Sequence, residues 1–347
     1  MRCLILVVLC GCDHAPPVAP TESPKPRPVV AAPADATPTD AAPSDRWVVL
    51  AKDQKGPTSI ALAATDVVWL DETGGQVMKV PKAGGTVVEL AHHQETPLDV
   101  AVDADTVYWT TRTGNGDSDS ITAPHPTGGV WSVPLAGGKV TALAKARAFP
   151  DAIAVGASGV YFGEQGLTDH KGAQLSRVGK TGGSVAKIRE GNPGGIAVDG
   201  TDVYWSIGGG CESVNGAKMP DDGSMWTSPV AKPAPKELAP KLRCPERIAT
   251  DADSIYVADN DTGAILAIPK AGGAPVVVVT DDPGTRWLAV DATTVYWINQ
   301  RTRKVKRHPK SGGSTELLAE GTDPSGIAVD DRYLYITDGE LVERMDK

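Results

Sequence analysis

Six side chains with binding or acid–base chemistry stand at one recurring place in this sequence. Asp99, Asp151, Glu246, Arg247, Arg286 and Trp287 each lie one or two residues ahead of an Ile/Val/Leu-Ala run. Carboxylates and guanidiniums beside an indole suit a polar ligand, and they equally suit salt bridges within the protein; both readings stay open. Asn115, Asp117 and Asp119 set three oxygen-bearing side chains at alternate positions. That pattern invites Ca2+, although no Glu follows at the spacing of an EF-hand loop. No other cofactor is expected. His-Glu-x-x-His, Gly-x-Ser-x-Gly and phosphate-loop phrases are absent from the sequence, so no catalytic residue is assigned.

The elements that must position these groups come from a repeat. An apolar run, a small turn and a Val-Tyr-Trp-like run recur seven times. They pair Ile60-Ala61-Leu62 with Val68-Trp69, Val100-Ala101-Val102 with Tyr108-Trp109, and Ile153-Ala154-Val155 with Tyr161-Phe162. Ile196-Ala197-Val198 follows with Tyr204-Trp205, and Ile248-Ala249-Thr250 with Tyr256-Val257. Leu288-Ala289-Val290 with Tyr296-Trp297 and Ile327-Ala328-Val329 with Tyr335-Ile336 complete the set. Each unit holds roughly 43 residues, the length of a four-stranded propeller blade. The predicted fold is an all-β, seven-bladed β-propeller over residues 46–347. Strand A is the Ala-centred run and strand B the Tyr-Trp run. Strands C and D flank a Gly-Gly turn such as Gly84-Gly85. Trp47–Ala51 reads as a strand D without its blade, and residues 340–345 as a strand C without its D. The N-terminal strand is therefore expected to close the seventh blade. Asp103, Asp199, Asp251, Asp291 and Asp330 end strand A and read as Asx-type turns.

The Tyr-Trp phrase resembles the YWTD class of propellers, most clearly at Tyr108-Trp109-Thr110 and Tyr335-Ile336-Thr337-Asp338. The periodic layout is also similar to NHL-type propellers. The closing Asp is mostly absent elsewhere, and YWTD propellers have six blades. The resemblance therefore implies the fold and a general binding role, and no residue-specific function.

The B–C connections are long in three consecutive units, at residues 110–129, 163–173 and 206–223, and short in the others. In an A-B-C-D blade these loops share a face with the D–A loops. The six residues above are thus expected at the channel mouth of that face. Cys211 lies in the third long loop and Cys244 in the following D–A loop, so one disulfide between them is expected.

The chain opens with Arg2, an apolar run from Leu4 to Leu9, and Leu9-Cys10-Gly11-Cys12, which resembles a bacterial lipobox. Residues 1–11 are read as a lipoprotein signal peptide, with Cys12 as the lipidated residue. Residues 12–45 are read as a disordered tether: nine prolines fall at 16, 17, 20, 24, 26, 28, 33, 38 and 43. In polyproline geometry such a tether reaches about 100 Å. The formal charge of −9 argues against nucleic acid as a partner.

Together these readings predict an exported lipoprotein, anchored to a bacterial membrane and facing the periplasm or the outer surface. It would bind or scaffold an envelope protein or a glycan through the long-loop face, without catalysis. The competing expectation is a metal-dependent hydrolase or lyase with its site at the channel mouth.

Overall fold

A computed structural model describes residues 46–112, 128–166, 172–208 and 222–347, all within one compact unit, Ala42–Lys347. Seven four-stranded antiparallel sheets form the blades of a β-propeller. The inner strands are Pro57–Leu62, Pro97–Val102, Pro150–Gly156, Pro193–Val198, Pro245–Thr250, Thr285–Val290 and Pro324–Val329, numbered here as strand A of blades 1 to 7. Each packs on the next, and the last packs on the first, so the ring closes. The two ends of the chain also share one blade, as the sequence predicts. Trp47–Ala51 pairs antiparallel with Leu341–Asp346 and supplies the outer strand of blade 7.

The core lies between the blades rather than at the axis. Val68, Leu70 and Val77 of blade 1 pack on Val100, Val107, Trp109 and Val133 of blade 2, and the other seams repeat the arrangement. Trp69, Trp109, Trp205 and Trp297 are fully buried there. An indole of that size contributes roughly 4–6 kcal/mol as an upper bound. At the C–D hairpins Gly84 and Gly85 take φ of 89° and 141°, the left-handed region open to glycine. The closing Asp of the YWTD phrase is commoner than the sequence reading allows. Asp71, Asp259 and Asp338 all end strand B, with Asn299 in blade 6. They bind backbone amides of neighbouring loops, as Asp71 Oδ2 does with Lys55 N at 3.1 Å.

The Asp at the end of strand A does more than cap a turn. In blade 5, Asp251 Oδ1 accepts the Asp253 and Ser254 amides at 3.0 and 2.8 Å, forming the expected Asx turn. Its Oδ2 accepts the Tyr256 hydroxyl at 2.9 Å and the Lys310 ammonium of blade 6 at 2.5 Å. The same latch joins Asp103 to Lys180, Asp199 to Lys270, Asp291 to Lys347 and Asp330 to Lys82, each across one seam. Burial alone would raise these carboxyls. Hydrogen bonds from the lysine and the turn amides outweigh it and hold Asp251 and Asp291 at about 2. The partner tyrosines move the other way. Burial first, then the adjacent carboxylate, push Tyr108 and Tyr296 up to about 12.

Candidate functional site at the channel mouth

Each strand A enters the ring through a bulge. The A–B register shifts just after Pro57, Pro97, Pro150, Pro193, Pro245 and Pro324, and after Thr285 in blade 6. Proline suits the first residue of a strand, where no ladder amide is lost, and a bulge re-aims the residues after it. In blades 1 to 5 two residues are released in this way, and in blades 6 and 7 one is, Arg286 and Ser325. With the residue after each of these two, every blade has two positions ahead of its apolar run. They are Thr58-Ser59, Leu98-Asp99, Asp151-Ala152, Gly194-Gly195, Glu246-Arg247, Arg286-Trp287 and Ser325-Gly326. No two blades present the same pair.

Three of the sequence-identified residues meet across the axis. Arg247 of blade 5 donates from Nη1 to Asp99 Oδ2 of blade 2 at 2.5 Å. Its Nη2 lies 3.6 Å from Asp151 Oδ1 of blade 3. Asp99 is only 8% exposed and is heavily coordinated. It accepts Ser59 Oγ of blade 1 at 2.6 Å and the Ile153 amide of blade 3 at 3.0 Å. Burial alone would lower the Arg247 pKa; the carboxylates of Asp99 and Asp151 raise it further above its ordinary value, so its charge is permanent.

The other three form a neighbouring group. Arg286 Nε pairs with Glu246 Oε2 at 2.9 Å, and its guanidinium lies 5.0 Å from the Trp287 ring centre. Asn260 Nδ2 donates to Glu246 Oε1 at 2.8 Å, and Arg286 Nη1 to Gln300 Oε1 at 3.2 Å. A cavity of about 110 Å³ at the axis is lined by Ser59, Asp99, Arg247, Trp287 and the Ile60 and Leu288 side chains among others, and so joins the two groups.

No protein-family description and no curated protein matches the chain. Solved structures do. Virginiamycin B lyase from Staphylococcus aureus aligns with a TM-score of 0.66 at 12% identity, covering 87% of this chain and 98% of that one. Kuenenia stuttgartiensis hydrazine synthase aligns with a TM-score of 0.60 at 14% identity, over 85% and 96% of the two chains. A chain of a nidogen/laminin complex aligns with a TM-score of 0.51 at 16% identity, over 70% and 90%. At such identities the likeness shows the fold alone.

Sequence reading missed Ser59, Asn260 and Gln300. Ser59 had a signal, because it stands one residue ahead of Ile60 as Asp99 stands ahead of Val100. Asn260 and Gln300 follow strand B and carry no such mark. Asn115, Asp117, Asp119, Cys211 and Cys12 lie outside the described residues. Cys244 is buried just ahead of strand A of blade 5. Among the described residues no three His, Cys, Asp or Glu side chains gather as a metal-binding set.

Proposed function

We propose that this chain is an exported, lipid-anchored binding propeller without catalytic activity. Residues 1–11 act as the signal peptide, Cys12 carries the lipid, residues 12–45 are the tether, and residues 46–347 present the mouth face to an envelope protein or a glycan. One observation carries this reading: the mouth pairs differ in all seven blades, beside the long B–C connections of blades 2, 3 and 4. Repetition serves packing, so departures gathered on one face are what a binding surface requires. The mouth chemistry agrees with it. Asp99, Asp151 and Glu246 are each held by an arginine, which suits recognition better than proton abstraction. A Cys211–Cys244 disulfide belongs to this reading as a brace for the blade 4 loop, and a Ca2+ at Asn115, Asp117 and Asp119 as an ordering ion for the blade 2 loop.

The test is in-cell crosslinking of the full chain, followed by mass spectrometry of what co-purifies. A control replaces residues 113–127, 167–171 and 209–221 with short Gly-containing turns. A partner captured by the full chain and lost in the control is the expected result. A partner retained by the control would move the site to another face.

A second reading has its own support. Carboxylates of three blades stand at the mouth in two neighbouring groups, and one solved structure of the same fold is a lyase. It casts the mouth as the site of a metal-dependent hydrolase or lyase. Metal kept in stoichiometric amount through chelation and dialysis would favour it over the binding role.

A further inference from the structure

The five Asp–Lys latches leave two seams without one, between blades 1 and 2 and between blades 3 and 4. Both partners change together there. At the first seam Ala63 stands in place of the Asp and Leu135 in place of the Lys; at the second they are Gly156 and Val230. Leu135 and Val230 pack against apolar neighbours instead. Such a contact can match an ion pair in free energy, yet it is non-directional and does not hold one register. The seam between blades 3 and 4 has a long hydrogen bond on that side, from Arg177 Nη1 to the Val230 carbonyl at 3.3 Å.

At the mouth the Asp99–Arg247 cluster bridges both of these seams, together with the latched ones between blades 2 and 3 and between blades 4 and 5. Ser59 Oγ to Asp99 crosses from blade 1 to blade 2. Arg247 to Asp151 reaches from blade 5 over blade 4 to blade 3. Arg247 to Asp99 then ties blade 5 to blade 2 directly. Blades 2 and 3 are meanwhile bound to each other at both ends, by Lys180 to Asp103 and by Thr110 Oγ1 to the Asp151 carbonyl at 2.6 Å.

We propose that blades 2 and 3 form one jaw of the ring, hinged at the two unlatched seams and clasped to the remaining five blades by Arg247 across the axis. The jaw bears the strand ends from which two of the three long connections leave, Thr111 and Gly128 in blade 2 and Glu164 and Gln174 in blade 3. This inference rests on the proposed binding role only for its use, because the jaw itself is tested without any partner.

The test is amide hydrogen exchange, read by mass spectrometry, on the purified full chain and three variants. In Arg247→Gln the inner strands of blades 2 and 3, including the Ile153 amide that Asp99 accepts, should exchange about tenfold faster. Blades 5 to 7 should be unchanged apart from the strand that bears the substitution. Asp251→Asn, which cuts the latch between blades 5 and 6, should affect those two blades and leave blades 2 and 3 as they were. Arg247→Lys keeps the charge and serves if the glutamine variant does not fold; its loss of the two-armed contact should speed the same two blades to a lesser degree. Faster exchange spread evenly round the ring, or none in blades 2 and 3, would overturn the jaw.

Discussion

At one end of the ring, five seams repeat the same three side chains; at the other, the seven blades present seven different pairs. The latch end is uniform because every seam poses the same mechanical problem. An Asp caps its own turn, orients its own Tyr and reaches a Lys of the next blade. The mouth end has no such repetition, although the same bulge builds it in every blade. Arg247, Asp99 and Asp151 come from three blades and satisfy one another only across the axis. Repetition marks what holds the ring; its absence marks what the ring can present to something else. The two seams without a latch are both bridged at the other end by the mouth cluster.

This contrast can be broken first at the mouth. Arg247→Met leaves the Asp99 carboxylate buried without its counter-charge, and should cost about 3 kcal/mol of stability in denaturant unfolding. Partner capture should fall as well. A loss of stability with capture intact would make the mouth a structural knot like the latches. A smaller effect is expected at the other end. Asp251→Asn should cost about 1–2 kcal/mol and leave capture unchanged, and adding Asp103→Asn, at a seam some blades away, should give a nearly additive loss.

Acid titration probes the latch end. The latch carboxyls of Asp251, Asp291 and Asp330 sit at about 2, below their ordinary 3.8. Their contribution is therefore complete above pH 4 and is lost as pH falls through 2. Unfolding measured from pH 5 downward should show little change to pH 4 and a steep decline below it. The Asp251→Asn variant should show a shallower decline. At the alkaline end, Tyr108 and Tyr296 stand raised to about 12. Their contribution is present below pH 10 and fades as pH rises through 12.

The smallest expected effect sharpens the comparison most. Ala63→Asp combined with Leu135→Lys writes a latch into the seam between blades 1 and 2. Stability should shift by less than about 1 kcal/mol, because an ion pair and an apolar contact are near equivalents. Hydrogen exchange in blade 2 should nevertheless slow. An unchanged exchange rate would mean that the apolar seam already holds its register.

The fold was open to reading because its causes are periodic. Ala at the middle of strand A, the Tyr-Trp phrase and the Gly-Gly hairpins recur at a fixed interval, and the strand Trp47–Ala51 completes the last blade by pattern alone. The latch was half legible. The Asp was recognised as a turn former, but its Lys was not, although Lys82, Lys180, Lys270 and Lys310 each stand two residues ahead of a Gly pair. The paired loss at Ala63 with Leu135, and at Gly156 with Val230, was also written in the sequence for a reader who already knew the two positions touch.

The mouth divides differently. Residue types and their place ahead of strand A follow from the chain itself, and so does the prediction that they gather at one face. Which carboxylate each arginine takes does not. Arg247 and Asp99 are 148 positions apart, and local sequence carries no information on a contact made across a ring. Only closing seven twisted sheets sets the diameter of the axis, and that diameter decides that a guanidinium from blade 5 reaches blades 2 and 3.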